Sequence, residues 1–247
     1  MIRIAAVGDI HFGADSAGML RAQFEDLSEH ADVLLLAGDL TKCGGPDEGL
    51  VAARELSGLP VPVVAVLGNH DYHSDEQATV RAQLEDAGIT VLEGETTTIE
   101  VDGARLGVAG TKGFGGGFAG ANATDFGEPE MKAFVRHTMG LAEALEDRLR
   151  SLDGCDARIA LLHYSPVRDT LAGERSEIFP FLGSYLLAEA IDRAGADLAL
   201  HGHAHAGTEK GVTPGGVLVR NVAQPVIKHS YNVYTFEPAH PRAEVMS

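Results

Sequence analysis

Five short apolar runs in this 247-residue chain, at positions 2–7, 33–37, 63–67, 159–162 and 198–200, each lead into residues able to ligate metal ions. The clusters are Gly8-Asp9-Ile10-His11, Gly38-Asp39, Gly68-Asn69-His70-Asp71, His163-Tyr164 and His201-Gly202-His203-Ala204-His205. Ions of the Mn, Fe and Zn type accept imidazole nitrogen together with carboxylate oxygen, and a close pair of ions needs a bridging carboxylate plus several further ligands. Asp9, His11, Asp39, Asn69, His163, His203 and His205 supply such a set. Strand side chains alternate, so Asp9 and His11, and likewise His203 and His205, are expected to point the same way where their strands end.

If each run is a buried strand, all five deliver their groups to one edge of a sheet, where open α/β folds place their chemistry. Between the first runs lie segments with helical periodicity at 17–29 (Leu20, Phe24, Leu27), 47–56 and 75–87 (Val80, Leu84, Ala87). Alternation of strand and helix implies parallel strands joined by right-handed crossovers. After Gly88 the runs 97–101 and 105–109 flank Asp102-Gly103, a hairpin signature, which makes the sheet system mixed. A Gly-rich stretch at 110–120 precedes an amphipathic helix at 130–152 with Phe134, Leu141, Leu145 and Leu149 as core candidates. The second half reads as strand 158–162, irregular chain 165–183, helix 184–194, strand 197–200, and two closing β runs at 217–222 and 232–236. No fixed-period repeat is present, so a solenoid or propeller is not supported.

In order and spacing, Asp9-x-His11, Gly38-Asp39, Gly68-Asn69-His70-Asp71, His163 and Gly202-His203-Ala204-His205 resemble the five motif blocks of the calcineurin-like metallophosphoesterases. The resemblance implies an α/β fold, a four-layer α/β/β/α sandwich of two mixed β-sheets packed face to face with flanking helices, read as a single domain over 1–247. It implies two divalent or trivalent metal ions, Mn, Fe or Zn. Asp9, His11 and His205 would hold one, Asn69, His163 and His203 the other, with Asp39 bridging. His70 would be the catalytic histidine near the leaving group, oriented by Asp71. With Asp9 and Asp39 at about −2, two divalent ions at about +4 and a bridging hydroxide at about −1, the site would be near +1 and attract a phosphate ester. The hydroxide would attack phosphorus in line. The implied reaction is hydrolysis of a phosphomonoester or phosphodiester; a metal-dependent nuclease and a non-catalytic protein-binding scaffold on the same fold are the alternatives.

Against 19 Lys plus Arg stand 36 Asp plus Glu, a formal charge of −17 that repels polyanions and disfavours extended nucleic acid. A small phosphorylated substrate is still admitted, because bound metal reverses the sign locally. Cys43 and Cys155 make neither a disulfide framework nor a zinc ribbon. The opening residues Met1-Ile2-Arg3-Ile4 read as the first strand, so no leader is expected, and no apolar stretch approaches the roughly 20 residues that span a bilayer. The expectation is a cytoplasmic protein without a membrane partner.

Other residues carry weaker signals. His201 lies within its strand and reads as structural, while His73 is either a surface residue or reaches substrate. The stretch around Lys112 lacks the Gly-x-x-x-x-Gly-Lys order of a phosphate-binding loop and reads as a flexible loop at the site or, alternatively, as a tolerant surface loop. Tyr164, Arg168 and Arg175 lie where loops select substrates. The apolar residues Phe179, Pro180, Phe181 and Leu182 pack over the core or, alternatively, form a lid or a homodimer contact.

Overall fold

In the computed structural model, which describes residues 1–237, three strands of almost wholly apolar sequence lie side by side. They are β1 (Ile2–Val7), β2 (Val33–Ala37) and β3 (Val63–Val66), followed by the short β4 (Thr90–Val91). A hairpin of β5 (Glu95–Val101) and β6 (Ala104–Thr111) comes next, then a small pair, β7 (Gly117–Phe118) and β8 (Ala121–Asn122). The last strands are β9 (Ala157–Leu162), β10 (Leu198–His201), β11 (Lys210–Val212), β12 (Leu218–Asn221) and β13 (Asn232–Phe236). The helices are α1 (Leu27–His30), α2 (Pro46–Leu56), α3 (Gln77–Asp86), α4 (Pro129–Arg150), α5 (Phe179–Leu182), α6 (Tyr185–Ala194) and α7 (Gln224–Ile227).

Two mixed sheets result. One has the order β13-β1-β2-β3-β4, parallel except for β13; the other has the order β11-β12-β10-β9-β6-β5, parallel except for its edges β11 and β5. Strand β2 explains the layering. Its five residues are all buried, and alternate ones serve different cores: Leu34 and Leu36 face α2 and α3 with Ala52, Leu56, Val80 and Leu84, whereas Val33, Leu35 and Ala37 face the other sheet. In that inner core they meet Val108, Ile159, Leu161 and Leu200. The far side of the second sheet packs Ala160, Leu162 and Ala199 against Leu145 and Leu149 of α4 and Leu187 and Ile191 of α6. The layers therefore run α/β/β/α, as the sequence implied. The five apolar runs serve two sheets rather than one edge: β1, β2 and β3 in the first, β9 and β10 in the second.

The hairpin at Asp102-Gly103 forms as predicted, with φ of 50° and 82° at the two residues, the left-handed pair that a type I′ turn requires. Helix α4 buries Leu145 and Leu149 as expected, but its inner face runs through Val135, Thr138 and Ala142, leaving Phe134 and Leu141 half-buried beside it. The helix expected at 17–29 is replaced by a 3-10 turn at Arg21–Gln23 and the single turn α1. The buried Glu55 carboxylate accepts the backbone N–H groups of Gly18, Leu20 and Arg21, and this tertiary capture competes with helical bonding; Phe24 and Leu27 reach the core regardless. The Gly-rich stretch is tied down rather than loose. Gly116 and Gly117 donate to the carbonyls of Pro180 and Gly183 at 2.7 and 2.9 Å, and the Thr138 hydroxyl donates to the Gly115 carbonyl. No helix among the described residues is long and apolar enough to cross a membrane.

Candidate metal centre

The predicted ligands converge where the strands of both sheets end, but the backbone delivers them differently from strand alternation. Asp9, His11, Asp39 and His203 have φ of 58°, 52°, 50° and 69°, all in the left-handed region that residues with side chains seldom enter. Asp and His are among the types that tolerate it, at a cost of about 1–3 kcal/mol each. Hydrogen bonds hold these turns: Asp9 N–H to the Gly38 carbonyl at 2.9 Å, His11 N–H to the Asp39 carbonyl at 3.0 Å, and His203 N–H to Asp9 Oδ2 at 2.9 Å. Close backbone approach is part of the design. A Cβ on Gly68 would collide with the Asp39 carboxylate, and one on Gly202 with that of Asp9.

Two groups of donors share Asp39. Asp9, His11, Asp39 and His205 offer ligand atoms lying within 4.8 Å of one another, as do Asp39, His163 and His203. Asn69 joins the second, its Oδ1 2.9 Å from His163 Nε2. Asp39 Oδ1 lies 3.3 Å from His163 Nε2 and Oδ2 lies 3.9 Å from His11 Nε2, while His205 Nε2 is 2.8 Å from Asp9 Oδ1. The donor set fits metal ions on a further ground. His11 Nε2 is buried and has no hydrogen-bond partner, a costly arrangement for an imidazole nitrogen unless something else takes its lone pair.

The protein's own charges respond to this crowding. Burial pushes the Asp39 carboxyl towards its neutral form, but the adjoining His163 and the His70 N–H prevail and hold it well below the usual carboxylate range. Burial likewise disfavours a charged His163, yet Asp39 outweighs it and raises the imidazole to about 9. His163 Nδ1 faces the Ala37 carbonyl at 2.9 Å, which fixes the ring with Nε2 towards the cluster. His203 is lowered to about 3 by burial and by His163, and its ring lies 4.3 Å from that of Tyr164. His205 is raised by its hydrogen bond to Asp9.

His70 stands at the rim, its side chain 44% exposed, with Nε2 4.0 Å from Asp39 Oδ2 and its ring 4.6 Å from that of His11. The expectation that Asp71 orients it is corrected. Asp71 is fully buried and its carboxylate accepts from Leu40 N–H, Thr41 N–H, the Thr41 hydroxyl and Gly68 N–H; His70 Nδ1 faces the Lys42 carbonyl at 2.6 Å instead. The chain turns after Asn69 and carries the two neighbouring side chains in different directions. Burial, opposed by these donors, raises Asp71 to about 6. An Asp71→Ala exchange would strand four donors, so chemical denaturation should register a loss of about 3 kcal/mol or more, and a variant as stable as the parent would contradict this bracing role.

His201 is structural as expected: fully buried, it faces the Thr170 hydroxyl at 2.8 Å and the Gly202 carbonyl at 2.7 Å, and burial lowers it to about 4. His73 and Arg175 are exposed, and Arg168 lies over the Phe179 ring at 5.5 Å. The Lys42 carbonyl escaped sequence reasoning because a backbone oxygen carries no residue signature. Tyr72 and Glu93 escaped too; Tyr72 directly follows Asp71, and that adjacency was the available signal.

The calcineurin-like phosphoesterase family matches residues 2–207, from β1 to just past His205. Glycerophosphodiester phosphodiesterase GpdQ of Enterobacter lignolyticus (strain SCF1) is 36% identical over 64 residues, which are 26% of this chain and 23% of that protein, so the match spans about a quarter of the relative's length. Among solved structures, phosphopantetheinyl hydrolase PptH of Mycobacterium tuberculosis superposes with a TM-score of 0.70 at 17% identity, covering 95% of this chain and 96% of that one. TT1561 of Thermus thermophilus gives a TM-score of 0.55 at 20% identity, with 89% and 88% covered. At such identities the superpositions establish the fold. With the family match spanning most of its length, the chain belongs to the calcineurin-like phosphoesterases.

Proposed function

We propose that this protein is a two-metal hydrolase of small phosphodiesters. Asp9, His11 and His205 would hold one ion, Asn69, His163 and His203 the other, and Asp39 both. The observation that carries the reading is the sharing of Asp39 by two donor groups, with the partnerless His11 Nε2 in one of them. Bound there, Mn, Fe or Zn ions supply Lewis acidity, acidifying water and neutralising phosphoryl charge. The chain's own part is orientation and proton delivery. The Lys42 carbonyl accepts a hydrogen bond from His70 Nδ1–H, so the imidazolium form would present its Nε2–H at the rim to protonate the departing oxygen, leaving the neutral ring with its proton on Nδ1. Ala37 does the same for His163 and keeps its Nε2 on the cluster side.

The diester preference rests on GpdQ, named for a glycerophosphodiester, and the −17 charge argues against long nucleic acids. Because ligands from both sheets flank one inner core, the chain is read as one domain.

The test is hydrolysis of bis(4-nitrophenyl) phosphate and 4-nitrophenyl phosphate before and after chelation, with metal content measured alongside. Activity should vanish with EDTA, return with Mn²⁺, favour the diester, and accompany about two ions per chain. Since His163 keeps its proton up to about pH 9 in the metal-free protein and a ligand imidazole must be neutral, uptake should release a proton and tighten as pH rises towards 9. Protein that binds no metal and hydrolyses neither ester would be a scaffold.

A further inference from the structure

Lys112, just past β6, carries an ammonium that makes no ion pair within 4.0 Å among the described residues. It lies over three aromatic rings, 4.8 Å from the centroid of Tyr72, 5.1 Å from Phe114 and 5.4 Å from Tyr164. Among the described residues no carboxylate stands within ion-pair distance and no acceptor bonds to it. This is unusual in a chain with 36 acids. The other lysine near the site, Lys42, is paired with Asp15 at 2.8 Å. Glu93, the nearest acid by its effect on Lys112, is already committed, accepting from the Tyr72 hydroxyl at 2.5 Å and from Leu67 N–H at 3.2 Å.

The aromatic faces hold the charge but accept no directed N–H bonds as oxygen does, so no protein oxygen among the described residues takes up the three ammonium donors. Desolvation by burial lowers the lysine, and Glu93 and Asp39 act on it only through space. The cage also fixes a flexible four-carbon stem in one place. That place is beside the second donor group. The Lys112 carbonyl accepts the N–H groups of His163 and Tyr164 at 3.1 and 3.0 Å, and the Tyr164 ring packs on that of His203. His70, in contrast, packs on His11 of the first group. The two residues therefore address different parts of a bound ester.

We propose that Lys112 is a specificity residue that binds a second oxyanion, carboxylate or phosphoryl, on the retained side of the substrate, so that the enzyme selects small phosphodiesters carrying an anionic group beside the scissile phosphate. The inference rests on the phosphoesterase reading above. Three 4-nitrophenyl phosphodiesters with a common leaving group test it, their second ester being methyl, carboxymethyl or 2-phosphonoethyl. The wild type should prefer an anionic ester over the methyl ester. In Lys112→Met, a substitution the rings accommodate, that preference in kcat/KM should fall about 10- to 100-fold, carried by KM, as for loss of a charged hydrogen bond. Lys112→Arg should restore much of it, and the larger effect of the two anionic esters identifies the oxyanion. Melting temperatures check that each variant folds. A preference unchanged within about twofold in Lys112→Met, or a loss borne equally by all three esters, would overturn the role of Lys112. Inactivity of the wild type on every ester with Mn²⁺ would instead count against the phosphoesterase reading.

Discussion

Replacing Asp39 is expected to empty both halves of the proposed metal centre and to lower hydrolysis by at least about 10³-fold, the upper range for removal of one electrostatic group from an active site. Asp39 is the residue common to the two donor groups, it is 1% exposed, and its oxygens face His163 on one side and His11 on the other. Asp39→Asn is the informative exchange. It can still accept the His70 N–H, now at 2.8 Å, and asparagine tolerates the φ of 50° that alanine would resist. Loss of the carboxylate also removes what keeps His163 protonated; the buried ring then turns neutral, so the variant folds without a stranded charge. Elemental analysis and turnover should fall together. An Asp39→Asn protein that kept two ions and near-parental activity would rule out the bridging role.

His70→Ala should behave differently, keeping both ions while kcat drops about 10²- to 10⁴-fold, the range for a lost acid or base. The distinction follows from position: His70 is outside both donor groups, half in solvent, and bonded through Nδ1 to the Lys42 carbonyl. Its removal opens the rim beside His11 but deletes none of the proposed metal ligands. Metal content is the deciding measurement here, since loss of both ions from His70→Ala would reassign this histidine as a ligand or as a brace for one.

The strands were legible because β1, β2 and β3 are buried on both faces and must be apolar almost throughout, so their ends stand out where Asp and His begin. The candidate donors of the proposed metal site were legible for the same reason. The means of presenting them was not. Alternation along a strand predicts parallel side chains at Asp9 and His11, but both sit beyond β1 in left-handed turns that only tertiary hydrogen bonds stabilise. Glu55 unmade the helix expected at 17–29 from across the chain, and Asp71 found its partners on the backbones of Leu40, Thr41 and Gly68. The cage of Lys112 draws rings from positions 72, 114 and 164, which no local pattern brings together.

The pairing of Asp9 with His205 joins residues 196 positions apart and links the first sheet to the second. A nascent chain therefore offers neither complete donor group until His203 and His205 have left the ribosome. The first sheet's candidate donors Asp9, His11, Asp39 and Asn69 emerge early and wait for them. Once the proposed ions are seated, each spans the two sheets, and unfolding must expel them before the sheets part. Saturation at about a thousand times the dissociation constant would add about 4 kcal/mol to the native state. Metal supply would thus govern how long the finished protein survives as well as how fast it turns over.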